Sequence, residues 1–329
     1  MIRAAVVGVG YLGAFHAEKY ARSKKSELVC VVDLDKNQAK KVARKGRAAW
    51  EQDYRKLPEM GVQCASVASD TSTHFEIAQW LLSHGIDVLV EKPMCTSSRD
   101  ARTLIETADK HGRILQVGHL ERFNPAFQAT REVLTRPWFF EVRRIAPFSG
   151  RGHDVDVVYD LMIHDIDIVS HLVGRPVAKV EAVGIPVLTS SVDIANARIT
   201  FEGGAIANVT ASRAAFKSER SIRIFQPDVY VSIDFHKKKL KMYTLAGGKD
   251  AKGFPKVSID ERKVEERDAL QDEIDSFLEA VITRGDPVVS GHDGLRAMLL
   301  AERIHDAFRV SLEALEHDPS LQKQVGNIA

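Results

Sequence analysis

The chain has 329 residues, 44% hydrophobic and 28% charged, with 46 basic residues against 45 acidic ones for a formal net charge of +1. That balance argues against nucleic acid or a membrane surface as a bulk-charge partner, and no run approaches the ~20 apolar residues that cross a bilayer. The length exceeds the ~100–200 residues usual for one domain and favours two hydrophobic cores. Cys30, Cys64 and Cys95 lie far apart with no C-x-x-C pair, which fits reduced thiols and a cytoplasmic address and gives no sign of a metal site. The first apolar run, residues 4–9, is short and enters a glycine turn directly, unlike a secretory leader.

Residues 1–118 alternate short apolar runs with helical patterns, as βαβ units of a parallel sheet buried on both faces do. Strands are expected at 2–7, 27–32, 65–68, 87–90 and 114–117. Between them, helices at 75–82 and 98–110 stop at Gly85 and Gly112. From 119 to 329 the character changes. A helix start at Asn124-Pro125 precedes β-rich runs at 139–145, 177–187, 195–201, 205–212, 222–225, 229–235 and 240–243, followed by helices at 270–283 and 294–315. The expectation is an α/β chain: a dinucleotide-binding domain over 1–118, then an α+β domain over 119–329 with a largely antiparallel, open-faced sheet. Ala205-Ile206-Ala207-Asn208-Val209-Thr210 alternates strictly, predicting one buried face and one face free for substrate or a second subunit. The basic run His236-Lys237-Lys238-Lys239-Leu240-Lys241 reads as a solvated hairpin, residues 246–252 as a loop tip, and the end after Pro319 as loose.

Gly8-Val9-Gly10-Tyr11-Leu12-Gly13 fits G-x-G-x-x-G, directly after a strand and at the start of a helix, where backbone N–H groups can face a pyrophosphate. Gly8 permits the tight turn, Gly10 the close approach of phosphate and Gly13 the packing of helix on strand. Asp33 ends the second strand, where a carboxylate accepts from both ribose hydroxyls and repels a 2′-phosphate, so NAD is expected over NADP; no arginine follows it immediately.

Glu91-Lys92-Pro93 follows a parallel strand at its carboxyl end, where open sheets place ligands. Asp160-Leu161-Met162-Ile163-His164-Asp165-Ile166-Asp167-Ile168-Val169 reads as a helix stopped by Gly174 and Pro176. Asp160, His164, Asp167 and His171 form one stripe on it, and Met162, Ile166, Val169 and Val173 another.

Together these segments resemble the glucose–fructose oxidoreductase/inositol dehydrogenase family, Gfo/Idh/MocA, over essentially the whole chain. The matching positions are Gly8, Gly10 and Gly13 in the loop, Asp33, the turn Thr71-Ser72-Thr73-His74, Glu91-Lys92-Pro93 and Asp160-x-x-x-His164. The family's turn usually reads T-P-N, so Ser72 and Thr73 are departures there. The resemblance implies an NAD-dependent oxidoreductase acting on a CH–OH group, with Lys92, Asp160 and His164 catalytic. It also implies Gly8, Gly10, Tyr11, Leu12, Gly13, Asp33, Thr71, Ser72, His74, Glu91 and Lys92 about the cofactor. His164 is read as the base, Asp160 as its orienter or a substrate ligand, and Lys92 as electrostatic support. The exchange of roles between Lys92 and His164 stays open.

Gly118-His119-Leu120-Glu121-Arg122-Phe123-Asn124-Pro125 and the segment from Tyr159 to Asp167 are similar to the branch that oxidises the 3-hydroxyl of UDP-N-acetylglucosamine toward the amino sugars of lipid A. Arg122, Asn124 and Arg213 are candidate ligands of a sugar nucleotide, the arginines because guanidinium pairs with phosphate; either arginine could equally serve a structural ion pair. The other readings are a dehydrogenase of a free sugar or polyol using NAD(P), a non-enzymatic NAD-binding regulator, and a metal hydrolase built on His153, Asp154, Asp156, His164, Asp165 and Asp167. The partner expected is a small sugar or sugar nucleotide, with the chain as a homodimer or homotetramer through the open sheet face.

Overall fold

The computed structural model describes residues 1–130, 133–148, 156–235, 237, 239–249, 252–263 and 267–316. His153, Asp154, His236, Lys238 and the end after Pro319 lie outside these. The elements of the first part are β1 (Ile2–Val7), α1 (Tyr11–Arg22), β2 (Ser26–Val32), α2 (Lys36–Gly46), β3 (Ala49–Glu51), β4 (Cys64–Val67), α3 (Thr71–Ser83), β5 (Asp87–Glu91), α4 (Ser98–His111) and β6 (Leu115–Gly118). All its strands run parallel in the order β3-β2-β1-β4-β5-β6, a Rossmann-type sheet. β4 and β5 are buried at every position, as continuous apolar runs between two helical layers must be. Local chemistry sets the helix ends. Ser97 caps α4 by accepting from the Asp100 amide at 3.1 Å, and Gly112, at φ +60°, closes it. The short strand β3, Ala49-Trp50-Glu51, has no periodicity to announce it and was not among the expected strands.

The chain continues with α5 (Pro125–Gln128), β7 (Phe139–Pro147), a π-helical turn at Val158–Met162, α6 (Ile163–Val173), β8 (Val177–Ile185), β9 (Ile194–Phe201), β10 (Ile206–Ala215), β11 (Glu219–Gln226), β12 (Val229–Asp234), β13 (Lys239–Lys249), β14 (Pro255–Lys263), α7 (Ala269–Thr283) and α8 (Gly291–Glu316). The eight strands form one sheet, β14-β13-β12-β11-β7-β10-β9-β8, antiparallel except for the pair β7 and β10. Burial along β10 alternates as its sequence predicts: Ala207, Val209 and Ala211 are fully buried between half-buried Ile206, Asn208 and Thr210. The buried face packs with Ile166 and Val169 of α6 and Ile304 and Phe308 of α8.

The other face is mixed in character. It carries pairs such as Arg198 with Asn208 at 3.0 Å and Asn196 with Thr210 at 2.8 Å. Across it runs one aromatic row, Phe139, Phe225, Tyr230 and Tyr243, on four neighbouring strands with ring centroids 5.6, 4.7 and 5.0 Å apart. Most of the expected loop tip at 246–252 is strand, since β13 runs to Lys249 against β14, whose charged, exposed sequence hid it.

Two compact units result, Met1–Asn124 with Arg267–Met298, and Pro125–Glu266 with the chain from Leu299. The expected single cut at 118/119 differs from this because α7 returns to the first core, where Ile274, Phe277, Leu278 and Val281 pack with Val6, Tyr20 and Val31.

Candidate active site

In the first unit, the loop between β1 and α1 has the shape a pyrophosphate needs. Gly8 has φ +79°, and a Cβ there would lie 2.5 Å from the Ser69 backbone; a Cβ on Gly13 would lie 1.8 Å from the Gly8 carbonyl oxygen. Around Gly10 no atom of the described residues lies within 4 Å of that point, which leaves its exposed side open to a ligand. The N-cap Gly10 makes no side-chain cap hydrogen bond and no acidic residue sits in the first turn of α1, which leaves the positive end of its dipole without an acidic side chain from the helix itself.

A groove of about 730 Å³ lies along this loop, lined by Gly8, Gly10, Tyr11, Asp33, Ser69 and Thr73 among others. The volume is in the range of cofactor clefts, and the residues fit an NAD. Asp33 is fixed from behind: its carboxylate accepts from the Val9 amide at 2.8 Å and the Asp35 amide at 2.9 Å. Lys36, close in sequence, stands over the Trp50 ring at 5.6 Å. The arginine that proximity to Asp33 does not reveal is Arg55, which lines the groove but meets Glu76 at 2.9 Å and Asp53 at 3.5 Å.

Several expected cofactor contacts turn elsewhere. Thr71 and Ser72 are not in a free turn but in the first turn of α3. His74 is 1% exposed, with its ring nitrogens 3.0 Å from the Pro93 carbonyl and 2.9 Å from that of Ser69, so it ties two loops together. Burial holds its pKa below the ordinary histidine value against those two carbonyls. Glu91 is directed into the core, 2.9 Å from His16, while Lys92 beside it is half-buried. Ser69 and Asp70, which line the groove, were missed, and Thr73, quoted only as part of the turn, lines it too; the signal available was their place just past β4, at the carboxyl edge of the sheet.

In the second unit, the expected stripe divides. Asp160 lies in the π-helical turn and His164 in the first turn of α6, both half-buried. Wide turns of this kind often mark functional sites. Asp167 is buried at 2% exposure, and Gly174, at φ +61°, ends the helix as its sequence predicts. Asp165, next to His164, receives two hydrogen bonds from Arg144 at 2.7 and 2.8 Å, a buried fork that fixes α6 against β7.

The candidate phosphate ligands divide similarly. Arg122, 2% exposed, is 3.4 Å from Asp293, and Arg213, 4% exposed, is 2.8 Å from Asp193, which favours the structural alternative for both. Asn124 remains half-buried at the end of the first unit's leading segment. Of the hydrolase set, Asp165 is occupied by Arg144, and Asp156 accepts from the Val158 amide at 2.8 Å.

Two family models match, that of an oxidoreductase family with an NAD-binding Rossmann fold over residues 2–119 and that of the Gfo/Idh/MocA C-terminal domain over 134–228. The chain belongs to the Gfo/Idh/MocA family of NAD-dependent oxidoreductases. It is 36% identical over 315 residues, 95% of its length and 98% of the relative's, to UDP-N-acetylglucosamine 3-dehydrogenase of Acidithiobacillus ferrooxidans. A solved structure of that enzyme superposes with a TM-score of 0.88, covering 93% of this chain and 97% of that one at 36% identity. A scyllo-inositol 2-dehydrogenase (NAD(+)) of Bacillus subtilis is 32% identical over 65% of this chain and 68% of its own.

Proposed function

We propose that the protein oxidises the 3-hydroxyl of UDP-N-acetylglucosamine to a ketone with NAD. The observation that carries this reading is the 36% identity to a UDP-N-acetylglucosamine 3-dehydrogenase across nearly the full length of both chains. The inositol dehydrogenase match is shorter and supports the free-polyol reading less well. When bound, NAD would supply the hydride acceptor; the glycine loop and the α1 N-terminus would hold its pyrophosphate, and Asp33 its adenine ribose. His164 removes the hydroxyl proton, Asp160 orients His164 or the sugar, and Lys92 supplies a positive charge for the developing alkoxide. The first unit is thus the cofactor unit and the second the substrate and assembly unit.

A 3-ketone is the form an aminotransferase needs, which agrees with a place in the making of lipid A amino sugars. A cytoplasmic location agrees with three buried free cysteines. The aromatic row from Phe139 to Tyr243, half-buried across four neighbouring strands, supports assembly as a homodimer or homotetramer. The test is a panel of sugar nucleotides and free polyols with NAD, following NADH. Formation of NADH with inositol and none with UDP-N-acetylglucosamine would replace the substrate and leave the reaction class intact.

A further inference from the structure

Beneath the end of β5 lies a cluster of buried ionisable side chains that the reaction above does not use. His16 on α1 is fully buried, with Nε2 2.9 Å from Glu91 Oε1 and Nδ1 3.0 Å from Ser66 Oγ, which meets the Tyr20 hydroxyl at 2.9 Å. Glu273 on α7 is also fully buried, and neither of its carboxyl oxygens has a hydrogen-bond partner among the described residues. Ligand atoms of His16, Glu91 and Glu273 all lie within 4.8 Å of one another. Two carboxylates so close and so dry do not both ionise. Burial, reinforced by the Glu91 charge, holds Glu273 well above the usual carboxylate range, whereas His16 overcomes burial and draws Glu91 below it. The charged member therefore sits beside Lys92, whose backbone amide donates to Glu91 Oε2 at 3.3 Å.

A second, independent feature fits the same arrangement. Gly118 stands opposite Glu91 in the β5–β6 register, and a Cβ on it would lie 2.8 Å from the Glu91 carboxyl carbon. Such a contact is closer than van der Waals radii allow, so an alanine at position 118 would make the Glu91 carboxylate shift from its place beside His16.

We propose that His16, Glu91 and Glu273 form a buried platform that fixes the backbone of Lys92, with Gly118 providing its clearance. Glu91 is then a positioning residue acting through Lys92 and not a ligand of NAD. The proposal rests on Lys92 working at the reacting centre. Gly118→Ala, Glu91→Gln, Glu91→Leu and Lys92→Ala, with the Gly118→Ala/Lys92→Ala and Glu91→Gln/Lys92→Ala doubles, decide it through kcat, KM and a direct NAD titration of the full chain without substrate.

Displacing Lys92 should cost on the order of 10²-fold in kcat for Gly118→Ala. NAD affinity should stay within about twofold for Gly118→Ala and Glu91→Gln, and neither change should cost anything further once Lys92 is alanine. Glu91→Gln, which keeps the hydrogen-bonding shape, should retain more turnover than Glu91→Leu. If Gly118→Ala fails to fold by circular dichroism, the Glu91→Gln cycle answers the same question. Losses that multiply with Lys92→Ala, or NAD binding weakened about tenfold by Glu91→Gln, overturn the proposal. Full turnover by Lys92→Ala removes the assignment of Lys92 and this proposal with it, whereas an impaired Lys92→Ala with multiplying losses removes this proposal alone.

Discussion

The carboxylate of Asp33 is held by the amides of Val9 and Asp35 at 2.8 and 2.9 Å, so it cannot swing away from a 2′-phosphate. NAD should therefore bind more tightly than NADP, and Asp33→Ala should narrow the gap in a cofactor titration. Equal affinities in the unmutated protein would remove Asp33 from the cofactor reading. Arg55, the nearby cation in the groove, is engaged by Glu76 and Asp53 and offers a 2′-phosphate little compensation. On the proposed mechanism, His164→Ala and Lys92→Ala should each lower kcat by ~10²–10⁴ while NAD binding persists. Two variants with full turnover would show that the acid–base assignment is wrong. Residue types and spacing made the glycine loop and Asp33 legible in the sequence as the rim of a groove, whereas the roles of Lys92 and His164 are proposed from the family resemblance. The directions of Glu91, His74, Arg122 and Arg213 were not legible there, because a side chain turns toward partners that only the fold supplies, such as His16 for Glu91 and Asp193 for Arg213.

Among the elements, α6 carries His164 and is fastened by the buried fork from Arg144 to Asp165. Removing one partner of such a pair strands a charge in the core. Arg144→Met should lower unfolding stability by ~3–5 kcal/mol in denaturant titrations, and an unchanged midpoint and slope would refute this role. Asp193 anchors the turn between β8 and β9, accepting from the amides of Val187, Leu188 and Thr189 as well as from Arg213. Burial raises its pKa, but those donors outweigh burial and hold the carboxyl well below the usual range. Its folded pKa is thus depressed. The stability it contributes is fully present above the unfolded value of ~3.9 and is lost as pH falls toward the folded one. Arg213→Met should raise the pH midpoint of acid unfolding; an unmoved midpoint would contradict the linkage. Elements with a clear signal could be read from sequence closely, β1 and α4 to within a residue and β10 to within three. The strand β3, the charged edge strand β14 and the π-helical turn at Asp160 could not, since none has a period of its own.

At the scale of the whole chain, the expected boundary at residue 118 missed that α7 returns to the first unit, because an amphipathic helix does not state which core it covers. The same return brings Glu273 to His16 and Glu91, a juxtaposition across more than half of the sequence that no local motif encodes. The aromatic row on the open sheet face leads to the prediction of a homo-oligomer. Light scattering at micromolar concentration should give at least a dimer, and Tyr230→Glu should weaken it, whereas a monomeric mass for the unmutated protein would reject this use of the face. The central claim is the reaction itself, and its most direct test is UDP-N-acetylglucosamine with NAD. Alcohol oxidation by NAD lies toward the alcohol at neutral pH, so the assay includes an aminotransferase or a ketone trap that consumes the product. The prediction is NADH formed in step with a 3-keto sugar nucleotide, and lost in His164→Ala. No NADH in the presence of the trap, from a folded protein shown by titration to bind NAD, would contradict it.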